Sequence, residues 1–312
     1  VISGLMCTLF GWRAVFVVPL VGGIAVAAAG VKHVQNVGER SNTTLDILSV
    51  VLLAAGITAF VYSVGEFSTN LIAGVVALFA AVVLLGLFAA RQLKLEHPVL
   101  NVRPMASVRF WPACLLVVVS MMTTFSMSVL LPLYFEGAYG MTALVAGLLI
   151  LPAIACSAVT SIVGGRVMDA RGAWPLLPVG FALIAVGQTA ISMTAASMNI
   201  GVVVAVTVVV YAGVGLVLSP SQTAGLETLP AAEHPHGTAL LNTWNMIAAS
   251  FGPSLFIGLL SSSAATAGTA GAATDVAQAI GFATAVRVAA VIAVVGFVAS
   301  LVYARRESHM SH

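Results

Sequence analysis

Charged side chains are what this sequence has least of. Only 7% of its 312 residues are Asp, Glu, Lys or Arg, while 60% are apolar. A water-soluble domain carries roughly 25% charged residues to coat its surface, so the shortage excludes a soluble fold of this size. Cysteine is equally sparse. Cys7, Cys114 and Cys156 are scattered without a Cys-x-x-Cys spacing, which excludes a disulfide framework and a thiol metal or redox pair. No Gly-Lys-Ser/Thr phosphate loop occurs, so the chain carries no ATP-driven pump of its own. It also lacks the buried cluster of acids or histidines that an enzyme in the membrane would need, and the repeated filter segment of a channel. His234 and His236 flank Pro235 beside Glu233, but nothing nearby in the sequence completes a metal site. A net charge of +2 is too small to mark a nucleic-acid partner.

What is present is apolar length. Nine runs recur, at residues 14–31, 47–65, 71–90, 110–135, 141–165, 176–196, 200–218, 239–260 and 280–304, and Arg287 is the only charge inside them. A helix needs about 20 apolar residues to cross a hydrocarbon core of about 30 Å. Barrel strands are roughly half that length and alternate in polarity. The runs therefore predict helices, each closing its own backbone hydrogen bonds. The expected fold class is all-α integral membrane, a multi-pass helical protein with about nine transmembrane helices.

The charges that remain are asymmetrically placed. Lys32, Arg40, Arg91, Lys94, Arg103, Arg109, Arg166, Arg171, Arg305 and Arg306 all fall on the C-terminal side of the membrane, which is ten of the twelve Lys and Arg. Basic residues accumulate in short cytoplasmic loops, so the C-terminus is expected inside, with Arg13 and Arg287 towards the outside. Carriers built from internal repeats usually have an even helix count, so an odd count predicts that further helices precede Val1.

Polar residues inside spans mark candidate sites, because lipid does not tolerate them unless they face a cavity or another helix. Ser120, Thr123, Thr124 and Ser128 share one helical face of the fourth span, and Asn242, Asn245, Ala249 and Gly252 share one of the eighth. Each face has two readings. It lines a polar pathway, or its hydroxyls bond back to their own helix and its amides join helices. Pro132, Pro152 and Pro253 interrupt spans, where a missing backbone donor permits a kink. Glu136 ends the fourth span and Arg287 enters the ninth; they form an outer gate or proton-linked pair, or else sit separately at the interface. The Ala/Gly/Ser/Thr-rich stretch 261–273 reads as a flexible external loop.

The most specific pattern is Gly165-x-x-x-Asp169-x-x-Gly172, which with Arg166 and Arg171 joins the fifth and sixth spans. Glycine allows a tight reversal, and Asp169 is expected at a helix N-terminus, where the dipole favours its charge. This segment resembles the loop motif of the major facilitator superfamily. Further residues are similar to its fourteen-helix drug:proton antiporters: Gly11-Trp12-Arg13-Ala14-Val15-Phe16 with Pro19, Leu45-Asp46, Glu96-His97-Pro98-Val99-Leu100, Leu131-Pro132-Leu133-Tyr134, and Ala146-Gly147-Leu148-Leu149-Ile150-Leu151-Pro152. Ser3-Gly4 looks like the end of that family's fifth-helix motif.

On this resemblance the nine spans correspond to helices six to fourteen of the family. Residues 1–31 would be the last helix of an N-terminal bundle, 32–109 two linker helices, 110–304 a six-helix C-terminal bundle and 305–312 a cytoplasmic tail. The resemblance implies a bacterial plasma-membrane transporter, not an enzyme, that exports small amphipathic or cationic drugs in exchange for protons. It would use the proton gradient and no bound cofactor. Tyr134, Asn242, Trp244 and Asn245 would line the substrate cavity from this half. An exporter of an endogenous metabolite or lipid precursor remains the alternative, and the 312 residues by themselves are not expected to transport. The family's first-helix acid, first loop motif and fourth-helix arginine correspond to nothing within the sequence. If five more spans precede Val1, a tag at the C-terminus should report a native product of about 450–550 residues; an intact mass matching 312 residues would refute this.

Overall fold

The computed structural model describes residues 6, 11–33, 46–66, 70–95, 98, 100–107, 110–173, 175–230 and 233–308. All regular structure among them is helical: α1 (Val17–His33), α2 (Ile47–Glu66), α3 (Leu71–Lys94), α4 (Phe110–Tyr139), α5 (Ala143–Arg171), α6 (Leu176–Thr194), α7 (Ile200–Glu227), α8 (His234–Thr269) and α9 (Thr274–Ser308). Each apolar run is one helix. By length and composition α2 to α9 suffice to cross a membrane, whereas α1 is shorter, at 17 residues. Ser3, Gly4, Cys7, Arg40, Leu45, Glu96, His97, Val99 and Arg109 lie outside the described residues.

Local chemistry sets the helix ends. The Asn70, Thr142 and Asn199 side chains accept hydrogen bonds from the backbone N–H of Ala73, Val145 and Val202, capping α3, α5 and α7. Gly172 ends α5 with φ +76°, a conformation that costs glycine little, and its N–H donates to Met168 O at 2.9 Å. Two expectations are corrected here. Asp169 lies in the last turn of α5, not at a helix N-terminus, because α5 runs on through the charged segment to Arg171. Most of 261–273 is helix as well. α8 continues to Thr269, since alanine favours helix and the hydroxyls of Ser262, Thr266 and Thr269 donate to the Leu259, Ser262 and Thr266 carbonyls of their own helix.

Six helices, α4 to α9, pack into one body with α4 at its centre, touching α5, α7, α8 and α9. α6 lies against α7 and α9, and α5 leans chiefly on α7. Between apolar helices in lipid the attraction comes from close packing rather than from expelled water, and small residues supply the fit. A Cβ on Gly213 would stand 2.6 Å from Gly180 O, and one on Gly215 would overlap Thr160 Oγ1 and Ser157 O. The Phe181 ring fills the space over Gly296, where a Cβ would lie 2.6 Å from Cε1. Outward-facing side chains are as apolar as inward ones: Phe79 is 71% exposed and Val186 68%. That inversion of a soluble surface is what a lipid-facing wall requires.

α2 and α3 form a separate hairpin whose α2 leans on α8, with Phe60 stacked on Phe251 at 5.7 Å. Its two ends on the Lys94 side are tied by charge. Arg91 on α3 donates from Nε to Asp46 Oδ2 at 2.6 Å and from Nη2 to Oδ1 at 3.0 Å, and Ser49 Oγ donates to the same carboxylate at 2.5 Å. The Arg91 bonds first, and then that of Ser49, hold the Asp46 carboxyl at about 2, below its usual 3.8. A depressed folded-state pKa contributes stability that is complete above the unfolded value and is lost as pH falls through the folded one. Thermal stability of the hairpin should therefore stay flat from about pH 8 to about 5 and fall between about 4 and 2. Asp46→Asn should remove that acid step in a melting series.

Candidate functional site

The expected site residues do not converge. α4 and α8 run side by side in the same direction, as two close approaches show. A Cβ on Gly252 would lie 3.6 Å from Met122 Cα, and one on Gly237 3.7 Å from the Phe110 ring. That register sets Asn242 and Asn245 level with the first turns of α4. Tyr134 stands near its far end, roughly 30 Å away at 1.5 Å per residue, so no small molecule bridges them.

Tyr134 is also committed elsewhere. It is 1% exposed, stacks on Phe282 at 4.2 Å, and its hydroxyl donates to Ala195 O at 2.9 Å. The geometry is that of a packing residue rather than of a cavity contact. Trp244 turns away from the two asparagines. Its Nε1 donates to Met105 Sδ at 3.4 Å, and its ring joins the apolar cluster of Phe88, Leu100, Phe110 and Leu240. Asn242 faces outward, while Asn245 is half-buried with its Oδ1 enclosed and without a partner among the described residues.

The α4 hydroxyl face also divides. Ser120 and Thr123 are buried, while Thr124 is half-exposed and Ser128 exposed. Ser120, Thr124 and Ser128 donate to the Leu116, Ser120 and Thr124 carbonyls, the self-satisfied arrangement. Deeper in the bundle, the Thr123 hydroxyl and both amide atoms of Gln188 are enclosed without a partner among the described residues. Gln188 was not found from sequence, although it is the sole amide in its run and was a visible signal.

The expected outer pair does not form. Glu136 and Arg287 are both exposed, and the one ion pair among the described residues is Arg91–Asp46. Tyr134 stacked on Phe282 puts Glu136 near Ile280 in the antiparallel α4–α9 register, so Arg287 lies about 10 Å farther along the axis. In the loop motif, a Cβ on Gly164 would meet Leu216 Cδ2 at 3.5 Å, whereas Arg166, Asp169, Arg171 and Gly172 are exposed and Gly165 half-exposed. His234 Nε2 is engaged with Leu229 O at 3.1 Å.

A helical body of this kind, with the motif in the last turns of α5 and its Gly172 cap, narrows the field, and comparison with known proteins decides it. The profile of the Major Facilitator Superfamily matches residues 1–253. The chain belongs to the major facilitator superfamily. It is 30% identical over 263 residues to a lincomycin resistance protein of Listeria monocytogenes, covering 83% of this chain and 56% of that protein. An uncharacterized MFS-type transporter of Bacillus subtilis, YcnB, is 31% identical over 304 residues, 96% of this chain and 64% of its own length. A riboflavin transporter of Clostridioides difficile is more distant, 22% identical over 258 residues, 82% of this chain and 56% of that protein. The chain thus spans between 56 and 64% of these superfamily relatives.

Because the Tyr134 hydroxyl serves a buried carbonyl, Tyr134→Phe should lower stability by about 1–2 kcal/mol in thermal unfolding. Substrate affinity in the complete protein should be unchanged; a weakened affinity at full stability would return Tyr134 to the cavity.

Proposed function

We propose that this chain is the C-terminal part of a proton-driven drug exporter of the bacterial plasma membrane, working by alternating access between two helical bundles. The observation that carries the reading is the 30% identity to a lincomycin resistance protein across most of this chain. The outward faces of α4 and α8 support it, because they offer polar groups on an apolar wall. Thr124, Ser128, Asn242 and Asn245 supply hydrogen-bonding groups, while Phe125 and Met246 supply adaptable apolar contact. Glu136, exposed at the far end of α4, is the acid that this half offers for proton linkage, and the distribution of basic residues supports a cytoplasmic C-terminus.

A second reading keeps the mechanism and changes the cargo to an endogenous metabolite, favoured by the similarity to a riboflavin transporter. One experiment separates the two. Cells lacking their own exporters and expressing the complete protein should accumulate less lincomycin and cationic dye, and a protonophore should abolish the difference. Glu136→Gln should slow export or shift its pH profile. Unchanged drug accumulation with altered flavin efflux would favour the second reading, and no change in either would reject export of both.

A further inference from the structure

The bonds around Asp46 do more than close a hairpin. Ser49 has one hydroxyl proton, and donating it to Asp46 leaves its oxygen free to accept. Gln92 Nε2 donates to that oxygen at 2.6 Å, and the other end of the same amide, Oε1, accepts from the backbone N–H of Leu100 at 3.1 Å. Ser49 and Gln92 are 0% and 1% exposed, so each bond is shielded from water and the direction of every proton is set by its neighbour. Leu100 lies in the segment leading to α4. Its side chain is buried with Phe88, Phe110, Leu240 and Leu241, against Trp244. Five residues farther on, Met105 accepts from Trp244 Nε1 on α8 and lies 3.7 Å from Cys114 Sγ on α4.

From this continuous path we infer that Asp46, Arg91 and Gln92 are positioning residues that latch the α2–α3 hairpin, through Leu100 and Met105, onto the Trp244 end of α8. The hairpin then moves with the α4–α9 body as one unit and fixes the helix that carries Asn242 and Asn245. Phe60 stacked on Phe251 supplies a second point of attachment along α2. Two attachments on one helix resist both sliding and rotation, whereas the stack alone would resist neither well. The inference does not depend on transport, and its test reads none.

The test is hydrogen exchange on the complete protein in lipid nanodiscs, together with emission from Trp244 after Trp12, Trp111 and Trp174 are replaced by Phe. Asp46→Asn and Gln92→Leu should each raise exchange in residues 98–106 by about tenfold or more and shift Trp244 emission to the red. Lys94→Gln, an exposed change in the last turn of α3 outside the bonded path, should do neither. Exchange in α6 should stay at its original value in all three. Unchanged exchange at 98–106 in both variants would overturn the inference. So would an equal rise in α6, since that would mean general loosening of the bundle and not release of a latch.

Discussion

Hydrocarbon contains no water to hydrogen-bond an open backbone or a stray hydroxyl, and most features of this chain answer to that constraint. The nine runs become helices because a helix closes its own backbone bonds. Ser120, Thr124, Ser128, Thr189, Thr207 and Thr284 each return their hydroxyl to a carbonyl four residues earlier. Since lipid is as apolar as leucine, close packing and a few bonds between helices must hold them together. That is why Gly180, Gly213, Gly215 and Gly296 stand where neighbouring atoms leave no room for a methyl group.

The same constraint organises the molecule along its length. At one end Tyr134 reaches across to Ala195 O. At the other, Tyr303 donates to Ala224 O on α7, and the Asp46–Arg91 pair opens a polar path that ends on α8. These bonds tie helix ends to neighbours far apart in sequence. The middle is different. Thr123 and Gln188 are enclosed there without a partner among the described residues, in a medium where an unmet amide is costly. The drug-export reading places the work on the outward faces of α4 and α8.

Much of the architecture was legible from residue order. Runs of apolar residues at span length each fall on one of the nine α-helices among the described residues, and the Gly165–Gly172 motif pointed to the superfamily. Errors arose where composition misled. The small, hydroxyl-rich stretch 261–273 read as a loop, yet its alanines and self-bonding hydroxyls extend α8 to Thr269. Asp169 read as a helix start, but the glycine that breaks the helix comes three residues later. The site suffered most. Tyr134, Asn242, Trp244 and Asn245 looked like one set because each is polar or aromatic within a span, but helix register leaves Tyr134 at the opposite end of the bundle and Trp244 bonded to Met105.

Sequence by itself determined the number of helices, their approximate ends and their apolar surroundings, because those follow from the local free energy of moving each residue from water into lipid. It also displayed the family motif, which is contiguous. Tertiary structure alone decided which polar groups meet. Arg91 finds Asp46 across 45 residues, Trp244 finds Met105 across 139, and Glu136 misses Arg287 by about two helical turns. Such meetings depend on the rotation and sliding of each helix against its neighbours. Those are set by glycine clearances and by loop bonds that no single stretch of sequence contains.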